Sequence, residues 1–378
     1  EFYEDEPDLV MPSPSPLVIK RSYISSCWSQ ADVGSAWRIN HDYYLFVNNA
    51  VADVSAGQNL PDNSEVRLGE SDGTVLIYTI SSSTPANRLY IDASPTATVT
   101  NTGVNNCNSM GIGARSNLKQ NWVEYVPSSR VFLVHNGSGQ IRKFSWREFG
   151  QVGDGGYKNR PYLEYEQTPE GNKTSYEYTA NGLPWKIKAT DSSGNTVFNW
   201  IKFDYDEFNR IKSLVPSDGR RVEYCYDKFN DLVRVVRADH TEVLYKYEHL
   251  SDSQGFPMSS THRIIRVDKP EGRILVNEYY KPADVVNGQT IQTNDYRIGR
   301  VKLQKSTVAG SVYPVTNARF FYNEITDPQN PNIGSGYTDV FDVLGNKQVY
   351  RYNSAKRLTA IEKYQKTGSN LLASVSVN

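Results

Sequence analysis

The residues best suited to acid–base or metal chemistry are few and widely spaced. The histidines are His41, His135, His240, His249 and His262, and they show neither an HExxH motif nor a paired i,i+4 ligand set. We therefore expect them at solvated or turn positions, and we predict no metal site. His240 stands where other copies of an internal repeat carry Gly, which indicates a turn residue and not a general base.

The three cysteines form neither a metal-binding nor a disulfide pattern. Cys27, Cys107 and Cys225 are odd in number, far apart and without CxxC spacing, so we interpret them as isolated thiols. The Gly-Ile-Gly at 111–113 lacks the third glycine of a dinucleotide-binding loop. The sequence contains neither a phosphate-binding loop nor a GxSxG nucleophile elbow. These observations predict that the chain binds no cofactor.

Carboxylates are plentiful, and a glycosidase pair could be hidden among Asp204, Asp206, Glu223 and Asp227. The separation of two carboxyl groups, on which that chemistry depends, cannot be read from a sequence. The repeat explains these four acids better, as residues of turns and strand ends. We therefore predict no catalytic residue and no enzyme activity.

The charge balance and hydropathy exclude two classes of partner. The chain has 41 Lys and Arg against 42 Asp and Glu, so no global field attracts nucleic acid or an anionic membrane. No apolar run approaches the roughly 20 residues that span a bilayer. The first eight residues are acidic where a signal peptide would be basic, and the chain begins without Met. These features fit an excerpt or a processed product of a longer protein.

The composition favours β-sheet, with 26 Tyr and 12% aromatic residues. The prolines at 12, 14 and 16 force an extended chain that leads into a strand at residues 17–24. Further strands are predicted at 37–39, 43–47 and 74–78, separated by clusters of Gly, Asn, Asp and Ser. No amphipathic helical stripe of useful length occurs.

From about residue 130 the sequence repeats a unit made of a Gly-containing turn, an aromatic strand, an Asp/Asn turn and a second strand. The closing tyrosines Tyr205, Tyr226 and Tyr247 follow one another at intervals of 21 residues. Each unit predicts a β-hairpin, and alignment with it predicts that Lys356–Lys366 is strand and not helix. The repeat-defining structural residues are Gly171, Tyr178, Gly194, Tyr205, Asp206, Gly219, Tyr224, Tyr226, Asp227, Tyr245, Tyr247, Gly272, Gly345, Tyr350 and Tyr352.

These hairpins predict an all-β fold in which repeated antiparallel β-hairpins form a large curled sheet or open β-shell. One hairpin cannot bury its aromatic face alone, whereas stacked hairpins extend one sheet, and the natural twist of strands curls it. We predict an N-terminal β segment at residues 1–129 that is continuous with a repeat region at residues 130–378.

The chain resembles the bacterial Rhs/YD-repeat family, which is named for the Tyr-Asp pair present here as Tyr205-Asp206 and Tyr226-Asp227. Residues 14–23 (PSPLVIKRSY), together with Gly-Ser-Ala-Trp at 34–37, are similar to the segment that opens the repeat region of bacterial Rhs proteins. The resemblance covers most of the chain. In this family such repeats form hollow β-shells around a C-terminal toxin in polymorphic toxins and Tc-toxin C components, or extracellular adhesion scaffolds in teneurins.

The resemblance implies a non-catalytic structural segment of a shell that encapsulates or presents a polypeptide cargo. The implied partners are a toxin or other polypeptide cargo, the remainder of a longer Rhs chain, or copies of the chain itself. The implied location is secreted or at the cell surface of a bacterium, with the export route left open. The alternatives are an extracellular adhesin-like scaffold for carbohydrate or protein, and a degenerate fragment without function.

Two features depart from the family pattern. Bacterial Rhs cores commonly end in a DPxG-like self-cleavage motif before a variable toxin, whereas Asp327-Pro328 is followed here by Gln-Asn, and no toxin is recognised. Family shells also contain many more repeats. We therefore expect an open arc that needs more chain, or partners, to enclose a cargo. In such an open sheet the aromatic rings of Trp185 and Trp200 would either stack on sugars or pack against the inner face.

Overall fold

The computed structural model describes residues 3–25, 30–31, 33–41, 43–70, 75–80, 86–91, 121–150, 159–286, 288–311, 314–327, 330–353, 358–368 and 370–377. Predicted features outside these ranges are Cys27, Cys107, the glycines at 111–113, Pro328 and Lys356. Nearly all regular structure within the ranges is β-strand, which confirms the all-β prediction. The described exceptions are a four-residue helix, α1 (Asn49–Ala52), and a 3-10 turn at Pro270–Gly272.

The first five strands lie outside the large sheet. They are β1 (Tyr3–Met11), β2 (Leu17–Ile24), β3 (Gln30–Ala31), β4 (Gly34–Ser35) and β5 (Trp37–Ile39). Strands β1, β2 and β5 form an antiparallel sheet with β2 in the middle, here called the N-terminal sheet, while β3 and β4 pair separately. The side chains of β2 alternate between buried and half-buried along most of its length, so one face of this sheet points into the core.

The remaining chain forms one long antiparallel sheet with a small side hairpin. Its strands are β6 (Tyr44–Val47), β7 (Glu65–Gly69), β8 (Val75–Thr79), β9 (Arg88–Ile91), β10 (Trp122–Val126), β11 (Val131–His135), β12 (Ile141–Glu148), β13 (Asn159–Gln167), β14 (Lys173–Tyr178), β15 (Pro184–Thr190), β16 (Val197–Tyr205), β17 (Ile211–Pro216), β18 (Val222–Tyr226), β19 (Leu232–Val236), β20 (Glu242–Ser251), β21 (Pro257–Asp268), β22 (Arg273–Tyr279), β25 (Val301–Val308), β26 (Val315–Asp327), β27 (Asn330–Asp342), β28 (Lys347–Tyr352), β29 (Leu358–Thr367) and β30 (Asn370–Val377). The side hairpin is β23 (Val285–Val286) with β24 (Gln289–Thr290).

Each strand of the long sheet pairs with its neighbours in sequence, and β22 pairs with β25 across the side hairpin. Within the described strands, β6 pairs only with β7 and β30 only with β29, so the sheet remains open. Its first strands curve back on the later ones, since the Arg160 guanidinium of β13 lies 5.5 Å from the ring centroid of Phe46 in β6.

The strand predictions are largely confirmed. The predicted strands at 17–24 and 37–39 match β2 and β5, and the one at 43–47 begins one residue later. The predicted strand at 74–78 lies in β8 as far as its described residues go. The segment around Lys366 is strand β29, as the repeat alignment predicted. The long sheet continues across residue 130, between β10 and β11, and a division of the chain at that residue stays a prediction.

The hairpin turns explain why the repeat carries aspartate after its closing tyrosine. Asp206 Oδ1 accepts hydrogen bonds from the backbone N–H groups of Phe208 and Arg210, both at 2.9 Å. Asp227, Asp252 and Asp342 each accept the corresponding pair of bonds, from the second and fourth residues after them. The aspartate thus organises the turn through its own backbone.

The residue three places after each turn aspartate has a positive φ angle. Asn209 and Asn230 occupy this position in two repeats, with φ of 61° and 67°, and Gly345 occupies it in another with 82°. His240 has φ of 65° three places after Arg237, in the turn between β19 and β20. It is therefore a turn residue, as predicted from its alignment with Gly.

Six tyrosines of the aromatic strands, here all called closing tyrosines, bond each hairpin to the strand before it. Their hydroxyls donate to backbone carbonyls at 2.5 to 2.9 Å in six pairs: Tyr178 to Leu163, Tyr205 to Pro184, Tyr226 to Ile211, Tyr247 to Leu232, Tyr279 to Ile264 and Tyr322 to Val301. A register shift immediately precedes several of these tyrosines, including Tyr226, which pairs forward with Leu232 while its hydroxyl reaches back to Ile211. Each such tyrosine therefore connects three consecutive strands.

We predict that Tyr226→Phe lowers the free energy of unfolding by about 1 kcal/mol, because the Ile211 carbonyl loses its hydroxyl donor. The matched control is Tyr350→Phe, since the Tyr350 hydroxyl bonds only the exposed side chain of Gln348 among the described residues and its loss should cost under about 0.5 kcal/mol. Urea denaturation followed by tryptophan fluorescence measures both. Equal losses in the two variants would contradict the proposed role of the closing tyrosines.

A second prediction concerns the stability of the fold at low pH. Hydrogen bonds from the Ser193 and Thr196 side chains, with backbone bonds of the turn, lower the pKa of Asp191 from 3.8 to about 2. Because the folded pKa is below the unfolded one, this aspartate stabilises the fold above pH 3.8, and that contribution disappears as the pH falls towards 2. Asp191→Asn should flatten the acid dependence in this window, since Asn136 forms a similar turn without charge. Thermal unfolding midpoints of both proteins between pH 4.5 and 2 measure the difference, and parallel curves would refute the assignment.

Candidate functional site: the buried N-terminal sheet

The N-terminal sheet lies against the face of the repeat strands that carries tyrosines. Trp37 and Tyr23 are completely buried, and their ring centroids lie 5.3 Å apart. Trp37 also contacts Tyr245 of β20 edge to face, with 5.0 Å between centroids. Val222 and Leu214 belong to the same buried cluster. The aromatic face that a lone hairpin cannot bury is therefore covered by residues from the first 40 positions of the chain.

A completely buried ion pair lies in the middle of this contact. Arg21 of β2 donates from Nε and Nη2 to the two carboxylate oxygens of Asp8 in β1, at 2.5 and 2.8 Å. Arg21 Nη1 also donates to the Tyr245 hydroxyl at 3.2 Å, and the Tyr224 hydroxyl donates to Asp8 at 2.7 Å. The guanidinium carbon lies 4.8 Å from the Trp37 ring centroid. Two repeat tyrosines thus complete the hydrogen bonding of a pair made within the N-terminal sheet.

Burial changes the ionisation of this cluster. Burial alone would lower the pKa of Arg21, but the adjacent Asp8 carboxylate raises that pKa well above its usual range. Burial, together with the negative charge of Asp8, raises the pKa of Tyr224 well above its usual range. Arg21 therefore stays charged and Tyr224 stays protonated over the physiological range.

Two further acidic residues of β1, Glu4 and Glu6, bond basic residues of the repeats. Glu6 accepts from Arg237 at 2.5 Å and from Lys269 at 2.8 Å, and Lys269 also bonds Glu4. Burial would raise the pKa of Glu6, but the hydrogen bond and charge of Lys269 lower it on balance. Sequence reasoning missed these acids, since the acidic start was weighed only against signal peptides. Their spacing of two residues, which places them on one face of a strand, was the available signal.

Further polar contacts fix the position of the N-terminal sheet. The Trp37 indole donates to the Tyr247 hydroxyl at 2.8 Å, and the Tyr23 hydroxyl donates to the His262 carbonyl at 2.6 Å. His41 Nδ1 lies 2.7 Å from the Tyr176 hydroxyl. Strands β18, β20 and β21 are therefore connected to this sheet by directional contacts as well as by apolar packing, and β14 contacts His41 just after the sheet.

Gly34 marks the closest backbone approach between the two parts. The Ser35 amide next to it donates to the Asn230 carbonyl at 2.8 Å. Gly34 has φ of 91°, and a Cβ atom added there would lie 2.9 Å from the same carbonyl oxygen. A side chain at this position would therefore be strained and would also separate the N-terminal segment from the repeat turn.

The structure separates the repeat-defining residues by what they contact. Tyr224, Tyr245 and Tyr247 contact the N-terminal sheet directly, whereas Tyr350 and Tyr352 lie in β28, beyond it. Tyr178, Tyr205 and Tyr226 bond the preceding strand, and Asp206 and Asp227 organise turns. The glycines that take positive φ are Gly171, Gly194, Gly219, Gly272 and Gly345.

Of the candidates for chemistry, most have structural partners. Cys225 is a free thiol, and His135 stacks on Trp122 with 3.9 Å between ring centroids. Trp185 and Trp200 are half-buried beside lysine side chains, with Lys186 Nζ 4.8 Å from the Trp200 centroid. One group in the described part of the chain has the composition of a metal site, namely Asp227, Asp231 and His249.

Comparisons with known proteins give limited matches. A family model described as a domain of unknown function, DUF6531, matches residues 1–76, which include the whole N-terminal sheet. No curated protein matches the chain in sequence.

Several solved structures match the chain at low identity and low TM-score. The crystal structure of TcdB2-TccC3-TEV is 10% identical, with a TM-score of 0.32 over 92% of this chain and 19% of that chain. The N-terminal domain of the effector SpvB from Salmonella typhimurium strain LT2 is also 10% identical, with a TM-score of 0.29 over 69% of this chain and 98% of that one. A porin-like protein from Bacteroides uniformis is 9% identical, with a TM-score of 0.25 over 76% of this chain and 91% of that one. This chain therefore spans about a fifth of the TcdB2-TccC3-TEV chain.

Among the described residues, no helix is both long enough and apolar enough to cross a bilayer.

We predict that Arg21→Leu destabilises the fold by about 3–5 kcal/mol, because it leaves the Asp8 carboxylate buried without its counter-charge. The control is Lys20→Leu on the same strand, since the Lys20–Asp5 pair is solvent-exposed and should contribute at most about 1 kcal/mol. Denaturant titration measures both. The double variant Asp8→Leu/Arg21→Leu should lose less than the sum of the two single variants, and an additive loss would show that the pair is not coupled.

Proposed function

We propose that this chain is a non-catalytic structural segment of an Rhs/YD-repeat shell that encloses or presents a polypeptide cargo. The observation that carries the proposal is the position of the N-terminal sheet. It lies on the tyrosine-bearing face of repeat strands β18, β20 and β21, and the same long sheet continues through β25 to β30. Because this layer covers a face and not an edge, both edges of the long sheet can take further strands, as a segment of a longer shell requires.

The later strands support the proposal by leaving apolar surface in solvent. Phe321 and Phe341 pack edge to face beside a groove of 670 Å³ that Tyr337 also lines. In the adjoining turn, Val343 and Leu344 are 59% and 71% exposed. Exposed apolar residues gathered in one place are typical of surfaces that bind another chain. In the proposed shell this surface would contact further repeats, a second copy or the cargo.

A second candidate function, an adhesin-like binding scaffold, is favoured by the same groove. Aromatic rings beside polar groups, here Tyr337 and Phe321 with Arg319 and Asp339, are the combination that binds sugar rings. Saturable binding of a glycan by isothermal titration calorimetry, abolished by Tyr337→Ala, would favour this function over the shell.

The resemblance to Rhs proteins supports a place of action outside the cell or at the surface of a bacterium. The DUF6531 match agrees with an N-terminal module set before a repeat region. The partners we propose are a toxin or other polypeptide cargo, the remainder of a longer chain, or copies of this one.

The shell proposal is tested by protection of a cargo. A disordered Gly/Ser-rich reporter is fused after the last residue of the full chain, and its digestion by a nonspecific protease is compared with digestion of the same reporter on an unrelated globular domain. Because the sheet is open, enclosure by this chain requires association of copies. We therefore expect at least tenfold slower cleavage on this chain, together with a hollow oligomer on imaging of the species separated by size-exclusion chromatography with light scattering. A compact monomer with an unprotected reporter would contradict enclosure by this chain.

A further inference from the structure

One turn of the repeat region differs chemically from its neighbour. In the turn after Tyr205, Arg210 donates from Nε to Asp206 at 2.7 Å, which neutralises the turn aspartate. Asp231 holds the same position in the next repeat, since its amide bonds Asp227 Oδ1 at 2.9 Å as the Arg210 amide bonds Asp206. An acid therefore replaces the base, and two carboxylates stand in place of an ion pair.

Asp231 is completely buried, which makes its charge expensive unless it is compensated. Its Oδ1 atom lies 2.7 Å from His262 Nδ1, but its buried Oδ2 atom has no hydrogen-bond partner among the described residues. The Nε2 atom of His249 is also buried and also has no hydrogen-bond partner among the described residues. That nitrogen lies 3.8 Å from Asp227 Oδ2, beyond hydrogen-bond distance.

The three side chains lie close together. One ligand atom each from Asp227, Asp231 and His249 can be chosen so that all lie within 4.8 Å of one another. The Asp227 and His249 side chains are about a quarter exposed, so the point can be reached from solvent. Two carboxylate oxygens and one imidazole nitrogen this close together are a possible ligand set for a divalent metal ion.

His262 has the position of a supporting residue. It has φ of 58°, an uncommon value for a residue other than glycine, within an irregular stretch where β20 and β21 lose register. Its ring is directed at Asp231, and its carbonyl accepts the Tyr23 hydroxyl of the N-terminal sheet. A hydrogen bond from a second residue to a metal-binding carboxylate commonly orients that carboxylate. The strained backbone of His262 therefore lies at the position from which its ring orients Asp231.

We propose that Asp227, Asp231 and His249 bind a zinc-like divalent transition-metal ion, with His262 orienting Asp231. Mixed nitrogen and oxygen ligands favour zinc over calcium, which takes six to eight oxygen ligands. Three protein ligands leave the fourth tetrahedral position to a water molecule. This proposal departs from the expectation drawn from histidine spacing, because the ligands come from a turn and a neighbouring strand. It is independent of the shell proposal.

Such an ion would raise the stability of the folded chain. It would connect the turn after β18 to β20 and, through His262, to Tyr23 in the N-terminal sheet. An ion that binds only the folded chain raises the free energy of unfolding with its concentration. The ion would therefore strengthen the contact between the N-terminal sheet and the repeats.

The test is isothermal titration calorimetry of ZnCl2 into the full chain after removal of metals with EDTA, paired with thermal unfolding with and without zinc. We expect one strong site per chain and a higher unfolding midpoint with zinc. Asp231→Asn and His249→Gln should each weaken binding at least tenfold and remove the shift. His240→Gln, which changes a turn histidine outside the cluster, and Asp252→Asn, which changes an equivalent turn aspartate, should leave both unchanged.

Each variant is first compared with the wild type in EDTA by circular dichroism. If Asp231→Asn does not fold, His249→Gln decides the outcome, because its side chain is partly exposed. Absence of strong zinc binding by the wild type would overturn the proposal. Equal binding by the wild type and His249→Gln would do the same, since the zinc would then occupy another site.

Discussion

The structure depends on one constraint: a β-hairpin cannot bury its own apolar face. The hairpins after residue 159 carry tyrosines and branched aliphatic residues that only another layer can cover. For strands β18, β20 and β21 this layer comes from the same chain, in the form of the N-terminal sheet. Residues more than 200 positions apart are thereby brought into contact, as Trp37 and Tyr247 are. The position of the N-terminal sheet, the curvature of the large sheet and its open end all follow from how this constraint is met.

Charge at the centre of an apolar contact calls for an explanation, because burying two ions costs several kcal/mol each before their attraction is counted. The attraction between Arg21 and Asp8 offsets this cost only in good geometry, which the bidentate contact and the two tyrosine hydroxyls provide. An apolar interface alone would tolerate sliding of one sheet over the other. We infer that the pair sets the alignment of the N-terminal sheet on the repeats more than it adds net stability.

Local pattern was sufficient to predict the repeat, its turns and several strands, but not β1, β3 or β4. The extended proline stretch predicted the strand β2 that follows it, and the alignment of His240 with Gly predicted a turn residue, because both depend on neighbours in sequence. The contact between β1 and the repeats was not predicted, since Glu6 and Lys269 are 263 residues apart and nothing local connects them. The cluster around Asp231 was missed for the same reason, because spacing rules detect ligands on one helix or loop. Long-range pairing, which the fold alone determines, accounts for most of what the sequence left open.

The closing tyrosines have a consequence for how the length of such a chain can vary through evolution. Each hydroxyl reaches a carbonyl on the preceding strand, and the segments joined in this way, such as 211–226, 232–247 and 264–279, do not overlap. An insertion or deletion inside one of them would move the hydroxyl away from its carbonyl. The extended hairpin of β20 and β21 and the side hairpin of β23 and β24 both lie between these segments. Length changes can therefore accumulate at the hairpin ends while the pairing of strands in the long sheet stays fixed. Related chains can then lengthen the loops at the edges of the sheet without changing its strand pairing.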